Sequence, residues 1–162
     1  AVLFSFLTII AVYDLKHKII PDALSFIFGA LAFAGLFFFH NSNDAIAGFY
    51  FRMPSILEFL SGVFIALPFA FFWLVSSGRW MGLGDAKLAL GIGWLLGLAG
   101  ALSSLVIAFW SGTVIGLILI VLSKNNKLNG LKIKMKSEIP FAPFLVLGSF
   151  LAFIFELNLF MV

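Results

Sequence analysis

The chain has 162 residues, of which 63% are hydrophobic and 10% charged, with 22 phenylalanines and a mean hydropathy of +1.18. This composition excludes an ordinary water-soluble domain, and the absence of cysteine excludes disulfides and thiolate metal sites. The net charge of +3 does not indicate a nucleic-acid partner, because the basic residues lie in short stretches between apolar runs.

Long apolar runs predict an all-α, polytopic protein of the lipid bilayer with about six membrane segments. The first run, Ala1–Tyr13, would span only about 20 Å as a helix, whereas the bilayer core is roughly 30 Å thick. We therefore expect it to be the end of a longer helix. A second helix is predicted from Asp22 to about Phe39, because Pro21 favours a helix start and Asp22 suits its positive end.

Three further apolar runs complete the predicted membrane domain. The third helix should begin at Pro54 and continue to about Val75, with a kink at Pro68. The run from Asp85 to Leu122 is too long for one span, so we predict two helices joined by a tight turn near Gly97–Gly100. A last helix should run from Pro140 towards Leu159. Polar loops are predicted at His40–Arg52 and Ser123–Glu138, and residues 1–162 are predicted to form one domain.

The distribution of basic residues predicts the orientation. If the loop after the first segment is cytosolic, nine of the ten basic residues are cytosolic, and Arg52 is the exception. Asp14 and Asp85 then both lie at the cytosolic edge of the membrane. The nine are Lys16, Lys18, Arg79, Lys87, Lys124, Lys127, Lys132, Lys134 and Lys136.

An acidic residue follows a glycine-rich turn in the stretch Gly82-Leu83-Gly84-Asp85. An ionisable residue at the edge of a membrane segment is costly and therefore indicates a functional site. Glycine permits positive φ and close backbone approach, so Gly82 and Gly84 favour a site that receives an extended peptide. We predict a mobile substrate-binding loop over Ser76–Gly84.

Asp14 is the expected partner of Asp85. Two carboxylates brought together in a low-dielectric setting share one proton, so that one is a base and the other an acid. Such a pair can activate water against an amide carbonyl and protonate the leaving amine without a cofactor. Two histidines and no cysteine are a poor metal set, and no serine has a placed base.

Other interpretations of the two acids stay open. They could cap membrane helices or pair with Lys16, Lys18 or Lys87 in a scaffold without catalytic activity. They could also form a relay in a proton- or ion-coupled transporter, although transporter acids are expected near the membrane midplane.

Three stretches together resemble the type IV prepilin peptidases, which are GxGD-type membrane aspartic proteases. They are Tyr13-Asp14 through Ile20-Pro21-Asp22, Gly82 through Leu88, and Ile139-Pro140-Phe141-Ala142-Pro143-Phe144. The resemblance implies that Asp14 and Asp85 are catalytic and that the leader of a prepilin or pseudopilin precursor is cut at the cytosolic face of the inner membrane. It implies supporting roles for Gly82, Leu83, Gly84, Asp22, Lys87, Pro140, Phe141 and Pro143.

The chain departs from the family pattern in two places. Ala142 stands where the family usually has glycine, and we expect no counterpart within residues 1–162 of the upstream cytosolic region with cysteine pairs that is associated with methylation in larger members. Presenilin-like proteases, including signal peptide peptidases, also carry Tyr-Asp and Gly-Leu-Gly-Asp. They are the alternative family that uses the same two-aspartate chemistry. Lys16, Pro21-Asp22 and Lys87 fit the prepilin pattern better.

Overall fold

The computed structural model describes residues 2–38, 53–79, 82–124 and 140–156, which form five α-helices and no strand. This confirms the all-helical prediction for the described residues. In chain order the helices are α1 (Val2–His17), α2 (Asp22–Phe38), α3 (Ile56–Ser76), α4 (Leu83–Lys124) and α5 (Ala142–Ile154).

Two stretches of helix are long and apolar enough to cross a membrane, Ile56–Ser76 and Leu83–Leu119. The helices α2 and α5 are apolar but shorter. Large apolar side chains are exposed along the helices, for example Phe64 and Leu67 on α3 and Val114 and Leu117 on α4. A surface of this kind suits contact with lipid, and the six-span topology stays a prediction.

Local chemistry sets the ends of α3. The Ser55 hydroxyl accepts a hydrogen bond from the Glu58 N–H at 3.2 Å, and the Glu58 carboxylate accepts one from the Ser55 N–H at 2.8 Å. This reciprocal capping box satisfies two N–H groups that a helix start leaves without partners. The helix continues through Pro68, where a kink was expected, and ends at Ser77, whose backbone is left-handed (φ 50°).

The long helix α4 is interrupted at Gly97, where φ is 69° and ψ is 178°. The turn predicted near Gly97–Gly100 is therefore present as one non-helical residue. After it, the backbone of Ser104 lies against Gly148, and Gly112 lies against the Phe144 ring. Residues 98–124 therefore run antiparallel to α5.

The first part of α4, residues 83–96, runs parallel to α2. Lys87 contacts Asp22 at the start of α2, and Gly91 lies against Phe28 in its middle. Consequently α1 and α3 end, and α2, α4 and α5 begin, at one end of the bundle, which we call the site end. Along α4, the chain runs away from the site end up to Gly97 and runs towards the site end after it.

Three predicted helix boundaries were wrong, and some predicted loops lie outside the described residues. The first helix does not end at Tyr13 but continues to His17, because Lys16 and His17 suit the negative end of a helix. The third and last helices begin at Ile56 and Ala142, two residues after Pro54 and Pro140. Residues 40–52, 125–138 and 157–162 are not among those described.

Candidate active site

Both predicted catalytic carboxylates are buried at the site end. Asp14 lies in the last turn of α1 and is 5% exposed, and Asp85 lies in the first turn of α4 and is 8% exposed. The two carboxylates are close enough for their charges to interact. The backbone N–H of Ala142, at the start of α5, donates to the Asp14 carboxylate. Three helix ends thus meet at one pair of acids.

Asp14 and Asp85 line one cavity of about 580 Å³. Its wall comes from the end of α1, the segment between α1 and α2, the turn after α3, and the starts of α4 and α5. The lining residues are Asp14, Lys18, Ile19, Ile20, Pro21, Asp22, Gly78, Arg79, Gly82, Leu83, Gly84, Asp85, Pro140 and Phe141.

Cations line this cavity, but none of the described ones forms an ion pair with either carboxylate. Lys18 and Arg79 belong to its wall, and the Arg79 Nε donates to the Ser76 carbonyl at 3.3 Å. Within the described ranges, no group of three His, Cys, Asp or Glu side chains is arranged to hold a metal ion. Two buried acids without a bound counterion favour sharing of a proton.

A five-residue segment, 18–22, connects the helix of Asp14 to α2 and is held at three points. At its start, Lys18 has a left-handed backbone (φ 55°), and its N–H donates to the Asp14 carbonyl at 2.7 Å. At its centre, Ile20 lies directly on Gly84. At its end, Asp22 forms an ion pair of 2.6 Å with Lys87.

Six of the eight predicted supporting residues line the cavity, and two do not. Lys87 does not belong to the lining; its Nζ pairs with Asp22 and lies 4.9 Å from the centre of the Phe26 ring. Pro143 lies in the first turn of α5, away from the lining. The six lining residues are Asp22, Gly82, Leu83, Gly84, Pro140 and Phe141.

The bounds predicted for the glycine-rich loop were wrong. Ser76 belongs to α3 and Leu83 and Gly84 belong to the first turn of α4, so the predicted loop over Ser76–Gly84 does not extend to either of its predicted ends. Neither Gly82 nor Gly84 has a positive φ; within the described part of the predicted loop the left-handed glycine is Gly78, whose N–H donates to the Trp73 carbonyl in the cap of α3. A β-carbon at Gly84 would meet the side chain of Ile20, so this glycine provides space.

Sequence reasoning missed several lining residues. Lys18 was interpreted as an orientation signal or an ion-pair partner of the acids, and Arg79 as an orientation signal within the predicted loop, and neither was named as a residue of the cavity wall. Ile19 and Ile20 lie between two charged positions of the resemblance and were given no role of their own. The signal that could have identified Lys18, Ile19 and Ile20 is their position between Asp14 and Asp22, since a short connection must pass close to both of these acids.

A family model described as the type IV leader peptidase family matches residues 1–121 of this chain. The matched residues include both buried acids and the whole of the 18–22 segment, and α5 lies beyond them. Comparison with curated proteins and with solved structures gave no match.

Proposed function

The chain belongs to the type IV leader peptidase family, and from this premise we propose that it is a membrane aspartic endopeptidase that removes the N-terminal leader of prepilin-like precursors. The observation that carries the proposal is the pair of buried carboxylates, Asp14 and Asp85, which separate helices bring to one cavity. A cavity of about 580 Å³ is large enough for a short extended stretch of peptide and a water molecule.

The proposed chemistry uses one shared proton. The ionised carboxylate takes a proton from water while the water oxygen bonds to the scissile carbonyl carbon, and the protonated carboxyl donates to the carbonyl oxygen. The tetrahedral intermediate then collapses: the C–N bond breaks, the nitrogen leaves with a proton from the dyad, and one hydroxyl of the intermediate returns its proton to the dyad as the new carbonyl forms. One proton remains on the pair, so the next cycle begins from the same state.

The charges at the site end support a cytosolic active site. The described cations Lys16, Lys18, Arg79 and Lys87 all lie at or near this end, as the positive-inside rule expects of a cytosolic face. A precursor that joins a basic leader to an apolar helix would present its scissile bond at the same level. The inner membrane is the corresponding location.

The apolar part of the cavity wall suits a substrate at the membrane edge. Ile19 and Leu83 line the cavity and are 68% and 39% exposed, next to the cations Lys18 and Arg79. A peptide must be extended here, because a helix keeps its carbonyls in its own hydrogen bonds. The Asp22–Lys87 pair joins two residues that fit the prepilin pattern better than the presenilin-like one, and it favours the prepilin interpretation.

The test is cleavage of a precursor polypeptide by the purified protein in detergent, followed by mass spectrometry of the products. Asp14→Asn and Asp85→Asn should each lower the cleavage rate by at least about a hundredfold, because asparagine cannot exchange the proton. Asp22→Asn should be much milder, and the matched control is Glu156→Gln, which changes an exposed acid two residues beyond the end of α5. Near wild-type cleavage by either dyad variant would contradict the mechanism.

A further inference from the structure

We propose that Ile20 is a positioning residue that fixes Asp85 relative to Asp14 by seating on Gly84. The proposal rests on the proposed function, since it concerns the geometry of the same dyad. In this proposal Gly84 leaves room for the Ile20 side chain, which belongs to the 18–22 segment.

The contact between Ile20 and Gly84 leaves no free space. A β-carbon built on Gly84 would lie 2.8 Å from the Ile20 Cβ, 3.1 Å from its Cδ1 and 3.3 Å from its Cγ1. Distances below 3.0 Å require something to move. Any residue other than glycine would therefore separate the 18–22 segment from the first turn of α4.

The position of this contact in the chain allows it to affect the placement of both Asp14 and Asp85. Gly84 immediately precedes Asp85, and Ile20 follows two residues after Lys18, whose N–H is bonded to the Asp14 carbonyl. The left-handed backbone at Lys18 turns the chain from α1 across the start of α4. A displacement at Ile20 is thus transmitted to the end of α1.

The other end of the segment is also tied to α4. Asp22 is bound to Lys87, on the turn of α4 that follows Asp85, so the segment contacts α4 on both sides of the acid. The remaining close glycine contacts lie away from the cavity, and two of them also involve a side chain, Phe28 at Gly91 and Trp94 at Gly62. Gly93 meets the backbone of Gly62, and Gly148 meets the backbone of Ser104, so these glycines join helix to helix away from the cavity.

A double-mutant cycle tests the contact through cleavage. Gly84→Ala should lower kcat by about tenfold to a hundredfold with a much smaller change in KM, because a misplaced dyad impairs chemistry more than binding. Ile20→Gly removes all three atoms that the new methyl group would meet. In the Ile20→Gly background, Gly84→Ala should lower kcat by less than about twofold. Gly29→Ala, a helical glycine whose added β-carbon meets nothing within 4 Å, is the matched control.

The proposal is overturned if Gly84→Ala lowers kcat by the same factor in the wild-type and Ile20→Gly proteins. It is also overturned if Gly84→Ala does not lower kcat in the wild-type protein. A merely structural role for Ile20 predicts that kcat falls only as far as the folded fraction falls, so unfolding temperatures are measured for all four proteins. Because overpacking also destabilises the protein, kcat is measured well below the lowest of these temperatures, where all four proteins are folded and the proposal still expects kcat to follow the cycle.

A second readout does not depend on cleavage. The chain has no cysteine, so Asp14→Cys together with Asp85→Cys places two thiols at the dyad for a short bifunctional cross-linker. The cross-linking yield should fall when Gly84→Ala is added and return when Ile20→Gly is added as well. An unchanged yield would refute the positioning role. If the yield follows the cycle but the wild-type protein cleaves no precursor, the proposed function fails and the positioning contact stands.

Discussion

Exchange of one glycine for alanine should have opposite effects on stability at two positions, Gly93 and Gly29. At Gly93 a β-carbon would lie 2.6 Å from the Cα of Gly62 and 2.9 Å from the Ser61 carbonyl oxygen, both of which are backbone atoms. To reach an ordinary contact of 3.4 Å, α3 and α4 would have to separate by 0.8 Å, the difference between 3.4 and 2.6. At Gly29 the added β-carbon meets nothing within 4 Å.

The size of each effect follows from these contacts. Overpacking of this kind costs about 1–3 kcal/mol. The separation would also weaken the hydrogen bonds from the Ser61 hydroxyl to the Gly93 carbonyl (2.8 Å) and from the Trp94 indole to the Phe59 carbonyl (3.0 Å). Each is worth about 0.5–1.5 kcal/mol. We expect Gly93→Ala to lower the free energy of unfolding by about 2–4 kcal/mol, whereas helix propensity predicts a gain of about 0.5–1 kcal/mol for Gly29→Ala.

Thermal unfolding of the detergent-solubilised protein measures both changes. For a chain of this size 1 kcal/mol corresponds to roughly 2–4 °C, so Gly93→Ala should lower the unfolding temperature by about 5–15 °C. Gly29→Ala should raise it by a few degrees. The reasoning is refuted if Gly93→Ala unfolds at or above the wild-type temperature, or if Gly29→Ala is destabilised to the same extent.

Two further predictions concern the site end. Lys87→Met keeps an apolar stem and removes the ion pair; because the Asp22 side chain is 70% exposed, stability should change by about 1 kcal/mol or less. Cleavage should nevertheless fall severalfold, and an unaltered rate would show that the pair does not hold the 18–22 segment. The cleavage rate of the wild-type protein should pass through a maximum with pH, because the dyad of Asp14 and Asp85 works only while it holds one proton. A rate that is flat across the acidic and neutral range would contradict the shared-proton mechanism.

Much of the fold could be predicted from the sequence because proline, glycine and charge act locally. Asp22 marks the start of α2 in the structure as it does in the sequence, and the break in α4 falls at Gly97, within the predicted turn. The end of α1 was placed too early, because Lys16 and His17 stabilise the last turn of the helix and do not end it before that turn. Whether six segments cross the membrane is not a local property of the chain.

The candidate site was only partly predictable, for a different physical reason. The proximity of the two acids was predicted from the expectation that both lie at the cytosolic edge of the membrane, and in the structure both are buried in one cavity. The contact between Ile20 and Gly84 joins residues far apart in sequence and leaves no trace in hydropathy or spacing. A glycine can supply either an unusual φ or the space of a missing β-carbon, and the sequence does not distinguish these uses.

The two uses of glycine explain how this site is held together although none of the described cations forms an ion pair with Asp14 or Asp85. Gly97 supplies a left-handed turn that brings the second part of α4 back towards the site end. Gly93 and Gly84 instead supply space, the first against α3 and the second against Ile20, and so fix the first part of α4 from two sides. A cation bound directly to Asp85 would stabilise its charged form and remove the acid that the proposed mechanism needs. In that mechanism, close packing at glycines positions the Asp85 carboxylate and leaves its proton free to exchange.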